Sequence, residues 1–327
     1  MNRAMAGWEA RCEATAALRF VDVNLRGIAQ VMLQDNPLTG VLFLAGIAWG
    51  SYAAGAPQIA VAGVLAVVVG TLTAMGLRVD RAALRAGLYG YNAVLVGMAL
   101  ATFLEPGPLL WSYVVLGAAV SVVVMLGTAR TVTPLGLSAL TGPFVLVTWL
   151  LLLATYGFAG LVAGALPTGA VVTPFEPLAP IRLSPGDFLQ GVLLSISQVF
   201  LKGSAVAALL LLAGLAVNSL AAAAFALAGA IIAVVTAHLF GAESDLITGG
   251  LLGFSPVLTA IALGTVFYKP GVRVAIYAAV GAAFTVIVQA ALNVALTPFG
   301  IPALTAPFVL VSWLFLLPRQ SFDDPGT

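Results

Sequence analysis

The sequence predicts an all-α polytopic membrane protein. It is expected to be built from two inverted-topology repeats, each with five transmembrane helices plus one short tilted re-entrant helix. Three observations lead there. The first is composition: of 327 residues, 61% are hydrophobic and only 8% charged, and the mean hydropathy is +1.12. A water-facing surface needs far more charge. The apolar runs are also of helix length, not the short alternating segments of a barrel. The second is an internal repeat: residues 133–153 read TPLGLSALTGPFVLVTWLLLL and residues 297–317 read TPFGIPALTAPFVLVSWLFLL. The third is the placing of the basic residues, which divide unevenly between the two faces that such a repeat defines.

Residues 1–160 form the first half. Residues 1–26 carry Arg3, Arg11, Arg19 and Arg26 and read as a polar or amphipathic lead-in. Glu9 and Glu13 stand among these arginines with no early apolar core, so no cleavable signal is expected and the first membrane segment serves as the targeting signal. The apolar run 27–34 is far too short to cross a bilayer, which takes about 20 residues. Asp35-Asn36-Pro37 then breaks the chain, and a re-entrant helix over about 21–35, carrying Gln30, is the expectation. By length, spans follow at about 37–54, 57–77, 86–104, 110–129 and 139–160.

Residues 161–187 hold Pro167, Pro174, Pro177, Pro180 and Pro185, with Glu176 and Arg182, and read as a linker. The second half, 188–318, opens with a short segment over 188–201 that carries Gln198. Its spans are expected at about 203–217, 219–240, 249–267, 273–295 and 303–318, and 319–327 is a polar tail.

The halves match in order along the chain. Gly87-Leu88-x-Gly90-Tyr91-x-x-Val94-Leu95 pairs with Gly250-Leu251-x-Gly253-Phe254-x-x-Val257-Leu258, and Gln30-Val31 pairs with Gln198-Val199. In the doubled stretch Thr141 pairs with Thr305, Pro143 with Pro307 and Trp149 with Trp313. Proline suits the first turn of a helix, and a threonine just before it can cap the free N–H groups. Each copy should therefore be a helix that starts abruptly with a capping Thr at its mouth. Starting a helix inside lipid needs a protein-lined or polar setting, and two such interrupted helices in matched halves point to a transport site. An odd number of spans per half makes the second half enter from the opposite side. With the N-terminus in the cytoplasm, of the 13 Lys and Arg residues all but Arg182 and Lys202 fall on the inner side. The positive-inside rule prefers this orientation, with both termini cytoplasmic in a cell (inner or plasma) membrane.

The chemistry-bearing residues are few. Asp80, Glu105, Glu176, Asp187, Glu243 and Asp245 fall in loops or at segment ends, so no mid-span carboxylate is expected to couple transport to an ion. His238, the one histidine, stands near the outer end of a span and reads as interfacial. With Cys12 as the one cysteine there is no intrachain disulfide and no metal cluster. Phosphate-binding and nucleophile motifs are absent. No enzyme activity, cofactor or nucleic-acid partner is expected, and membrane lipid surrounds the chain. The matched polar residues remain. Gln30 and Gln198 suit either helix–helix hydrogen bonds or a pore wall. Thr141 and Thr305 suit helix caps, a pore lining, or both.

These residues resemble a known family. Leu140-Thr141-x-Pro143-Phe144 and Leu304-Thr305-x-Pro307-Phe308 are similar to the paired signature of urea transporters. Arg26-Gly27-x-x-Gln30-Val31 with Asn36-Pro37-Leu38-Thr39-Gly40, and Gly87-Leu88-Tyr89-Gly90-Tyr91-Asn92 with Leu95-x-Gly97, resemble two more of its motifs. The resemblance runs through nearly the whole chain. It implies a homotrimer with one pore per protomer, between the halves, that passes urea in single file down its gradient. It also implies that Gln30 and Gln198 bind urea at the two mouths, that Tyr91 and Phe254 wall aromatic slots with Leu95 and Leu258 further in, that Val199 lines the slot, and that Thr141 and Thr305 sit at the central constriction. Two positions depart from the family: Leu33 stands where Phe is frequent, and Tyr91 where Phe is common. The alternatives are an ammonia or small-amide channel and an ion-coupled secondary transporter.

Overall fold

The structure is a computed structural model that describes residues 3–173, 183–318 and 322; Glu176 and Arg182 lie outside it, as do Arg319 and most of the polar tail. Fifteen α-helices are present among the described residues, and the only strand-like pairing among them is one bridge, Leu104 with Ala163. The first half contains α1 (Arg3–Ala14), α2 (Ala16–Ala29), α3 (Pro37–Ala53), α4 (Gln58–Gly76), α5 (Arg81–Arg85), α6 (Tyr91–Phe103), α7 (Pro108–Val132) and α8 (Gly142–Ala154). The second contains α9 (Pro185–Ser197), α10 (Ala205–Asn218), α11 (Leu220–Leu239), α12 (Ser244–Thr248), α13 (Phe254–Ile261), α14 (Val272–Leu296) and α15 (Ala306–Leu316). From α2 onward each helix has a counterpart in the other half. α1 has none.

The break expected at Asp35-Asn36-Pro37 is real and occurs twice. α2 runs through a tight 3-10 turn, Gln30–Met32, and the chain then bends by 73° into α3; α9 and its turn Gln198–Phe200 bend by 73° into α10. At each bend a leucine takes the left-handed conformation, Leu33 at φ 60° and Leu201 at φ 56°. Asn36 caps α3 by accepting from the N–H groups of Leu38 and Thr39, and Ser204 caps α10 by accepting from Ala207.

Four helices are long and apolar enough to cross a membrane: α4, α11, and α7 and α14 with their terminal turns; the two bent pairs raise this to six. The five segments expected as spans in each half differ in length. The segments expected at 86–104, 139–160, 249–267 and 303–318 hold the shorter helices α6, α8, α13 and α15. A 13-residue helix such as α6 is about 20 Å long, against a hydrocarbon core of about 30 Å. Length and hydropathy register an apolar stretch, but not where a turn or a left-handed residue cuts it.

Matched helices pack head to tail. At one end Asn36 Nδ2, at the start of α3, donates to Asn218 Oδ1 at the end of α10 (3.4 Å), and Asn218 Nδ2 donates to Gln34 Oε1 (2.8 Å). At the other, a Cβ on Gly50, near the end of α3, would stand 3.1 Å from Lys202, just before α10. Between them the Thr39 hydroxyl donates to the Gly214 carbonyl at 2.7 Å. The α8–α15 pair behaves alike: Trp149 Nε1 donates to Pro302 O (2.9 Å) and Trp313 Nε1 to Ser138 O (2.8 Å). Each tryptophan thus reaches back to the loop that opens the opposite helix.

One part of the lead-in is more than solvated polar sequence. Asp22 and Arg26 lie on α2, with Asp22 buried, and Arg26 pairs with Asp22 at 2.8 Å and Asp35 at 2.6 Å. Trp8 Nε1 on α1 donates to Asp22 at 2.6 Å. A carboxylate removed from water needs such partners.

Candidate pore between the two halves

The glycine motif is what lets the helices of the two matched glutamines come close to the turns beneath them. Gly87 sits at φ +75°, where a Cβ would overlap the backbone of Arg26 and Gly27, and Gly250 sits at φ +69°, where it would overlap Leu194 and Ser195. Only glycine meets both demands. α2 and α9 can therefore cross directly over the turns that precede α6 and α13. The crossings bring Gln30 Nε2 to Ala86 O at 2.9 Å and Gln198 Nε2 to Gly249 O at 3.1 Å. Each half-buried glutamine is tied down by its amide donors, which leaves its side-chain carbonyl as the acceptor it offers. The 3-10 turns that follow pack against α6 and α13. In this way Gln30 and Leu33 lie beside the helix of Tyr91 and Leu95, and Gln198 and Val199 beside that of Phe254 and Leu258. Val199, Leu95, Leu258 and Tyr91 are buried; Leu33 and Phe254 are half-buried against the same core.

The two threonines meet. Thr141 and Thr305, both buried, share a hydrogen bond between their hydroxyls, Oγ1 to Oγ1 2.6 Å. The expected capping does not occur, and neither hydroxyl bonds a backbone N–H of its own helix. The cause is local. Leu140 and Leu304 sit at φ 50° and 52°, and this turns Thr141 to φ −88°, ψ 14° and Thr305 to φ −91°, ψ 17°. A capping side chain needs the extended conformation instead. The four left-handed leucines, 33, 140, 201 and 304, thus stand at two matched pairs of positions, at the bends and at the helix mouths. Strained backbone of this kind gathers where a site is shaped.

The cap that α8 does have comes from a residue that sequence reasoning passed over. Asn92 Oδ1 accepts from the Phe144 N–H at 3.0 Å, and Asn92 Nδ2 donates to Leu140 O at 3.3 Å. The Tyr91 hydroxyl donates to the same carbonyl at 2.6 Å. A buried asparagine on an otherwise apolar helix was the available signal, because it must find partners. Leu201 was also missed, although as the counterpart of Leu33 it was legible from the repeat. His238 is half-buried at the end of α11.

The arrangement is a chain of fixed hydrogen-bonding groups on short helices with apolar walls. α6, α8, α13 and α15 contain no Asp, Glu, Lys, Arg or His. It can exchange hydrogen bonds with a neutral solute, and these four helices offer no carboxylate, amine or imidazole to hand over a proton. Comparison with known proteins agrees with this chemistry. The chain is 31% identical to urea transporter 1 of Ovis aries over 304 residues, 92% of this chain and 77% of that protein. It is 30% identical to urea transporter 1 of Capra hircus and 29% identical to that of Rattus norvegicus, with the same shares covered. Residues 21–320 match the urea transporter family, whose members are transporters and not enzymes, and the chain belongs to that family.

Proposed function

We propose that this protein carries urea passively across a membrane, through a pore that runs between two halves of inverted topology. The observation that carries the reading is the Thr141–Thr305 hydroxyl pair, one from each half, standing on helices that start inside the protein. Urea has four N–H donors and one carbonyl acceptor, and each hydration bond it sheds must be replaced. The side-chain carbonyls of Gln30 and Gln198 take its N–H groups at the two mouths. Leu33, Tyr91 and Leu95 on one side, and Val199, Phe254 and Leu258 on the other, hold its flat faces. At the centre the threonine hydroxyls open their mutual bond and each accepts from, or donates to, the solute. Two helix N-termini point their positive dipole ends at this place, which disfavours cations.

Passive flow is supported by the four ion-free helices, since coupled transport draws on intramembrane ionisable groups. The head-to-tail packing of α3 on α10 and α8 on α15 supports the inverted repeat. The excess of Lys and Arg on one side supports cytoplasmic termini in a cell (inner or plasma) membrane. A homotrimer belongs to the same proposal through the family resemblance. Of the alternatives, an ammonia channel gains nothing from a single histidine that lies on none of the four short helices.

Uptake of labelled urea into proteoliposomes, with and without an imposed proton or sodium gradient, tests the reading. Urea should equilibrate at the same level in both. Accumulation above the external concentration under a gradient would overturn it.

A further inference from the structure

We infer that Tyr91, through its hydroxyl, and Asn92 are positioning residues. They clamp the first half's side of the central constriction, and the second half has no such clamp, so solute size is discriminated against a fixed Thr141 and a yielding Thr305. The inference rests on the urea-channel reading.

The clamp is a set of three buried hydrogen bonds around one strained residue. Leu140 at φ 50° is in a conformation that non-glycine residues rarely adopt. Its carbonyl receives both the Tyr91 hydroxyl (2.6 Å) and Asn92 Nδ2 (3.3 Å), while Asn92 Oδ1 holds the Phe144 N–H (3.0 Å) in the first turn of α8. The carboxamide of Asn92 therefore bridges the peptide just before Thr141 and the N–H that follows Pro143. Thr141 lies between two anchored points.

The second half has the same strain without the anchors. Leu304 sits at φ 52°. The counterpart of Tyr91 is Phe254, which has no hydroxyl, and the counterpart of Asn92 is Ser255. The Ser255 hydroxyl donates to Gln289 Oε1 at 2.9 Å, Gln289 Nε2 donates to Asn293 Oδ1 at 3.1 Å, and the Thr285 hydroxyl donates to that of Thr259 at 3.0 Å. The polar network here joins α13 to α14 and runs along α14, not to the mouth of α15. Among the described residues no side chain bonds the Leu304 carbonyl or the Phe308 N–H.

A solute entering the centre must part the threonine hydroxyls. The side held by fewer bonds gives way, and that side is Thr305. The clamp then sets how far the constriction opens, which is a matter of selectivity more than of folding. The departure of Tyr91 from the family's common Phe acquires a role: the extra oxygen ties down Leu140.

The test measures uptake of urea and of N-methylurea, per folded protein, into proteoliposomes holding wild type, Tyr91→Phe, Asn92→Ser or Ser255→Ala. The ratio of N-methylurea to urea uptake should rise about two- to tenfold in Tyr91→Phe, the range that one lost hydrogen bond allows, and at least as far in Asn92→Ser. It should stay at the wild-type value in Ser255→Ala, which breaks the second-half network without touching the clamp. An unmoved ratio in Tyr91→Phe overturns the inference, as does an equal rise in Ser255→Ala. A merely structural role would lower the folded yield and both uptakes together and leave the ratio alone, which also overturns it. If Asn92→Ser fails to fold, Tyr91→Phe decides alone, since Phe254 stands at the counterpart position. Wild type that carries no urea would sink the channel reading itself; wild type that carries urea while the ratio never moves would sink only the clamp.

Discussion

At the scale of single residues, Thr141 and Thr305 satisfy each other, and that predicts a non-additive pair of substitutions. Thr141→Val leaves the Thr305 hydroxyl buried without its partner, and Thr305→Val does the reverse. Each single variant should lose about 1–3 kcal/mol of stability, the cost of an orphaned buried hydroxyl. The double variant removes both groups and should recover most of that loss. Urea flux should behave differently, staying down by roughly two- to tenfold in the double variant because no hydroxyl is left to replace a hydration bond. Thermal unfolding and urea uptake, measured on the three proteins, separate the two effects; stability that falls additively would show that the hydroxyls do not depend on each other. The doubled Leu-Thr-x-Pro-Phe made both threonines legible as a pair. The pairing also implied that they meet; that neither caps its own helix was not legible, because a cap and a cross-half bond use the same residue type and differ only in the backbone angle that Leu140 and Leu304 impose.

At the scale of elements, the short helices depend on how closely α2 and α9 cross the turns before them. Gly87→Ala puts a Cβ into the Arg26–Gly27 backbone at φ +75°, and Gly250→Ala puts one into Leu194–Ser195 at φ +69°. Strain of this kind costs roughly 1–3 kcal/mol, and it displaces the glutamine that the crossing anchors, so both stability and urea uptake should fall. Gly76→Ala, at the end of α4 where an added Cβ meets nothing within 4 Å, should be neutral or slightly stabilising. α1 offers a second check. Cys12 is buried, and burial, with Asp22 nearby, pushes its thiol above the usual range. A raised thiol pKa means less thiolate at any given pH. Maleimide labelling of Cys12 should therefore be slow at neutral pH and still be climbing well into the alkaline range. Trp8→Ala, which removes the bond to Asp22, should speed labelling at neutral pH; an unchanged rate would show that Trp8 does not hold α1 in place. α1 was legible only as part of a polar or amphipathic lead-in, since its value lies in contacts with α2 that no periodicity reveals.

At the scale of the whole molecule, the repeat was the most legible feature, because it is written in matched motifs spread over the chain. The helix lengths were less so: hydropathy counts apolar length, and α6, α8, α13 and α15 are apolar without being long. The direction of each half is the remaining question, and α5 and α12 answer it directly. They are matched five-residue helices, Arg81–Arg85 and Ser244–Thr248, each just before a glycine turn. An inverted repeat places matched elements on opposite faces of the membrane, whereas a parallel repeat places them on the same face. Ala82 and Asp245 are both exposed and suit single-cysteine probes in a Cys12→Ser background. Thr168, exposed in the linker, serves as a third. With a membrane-impermeant maleimide, Asp245→Cys and Thr168→Cys should react in intact cells, and Ala82→Cys only after the membrane is opened. If all three react alike in intact cells, or if Ala82→Cys and Asp245→Cys share a side, the inverted repeat is wrong. If Ala82→Cys alone reacts in intact cells, the inversion stands and the orientation is reversed, and the excess of Lys and Arg would then lie on the outer face, against the positive-inside rule.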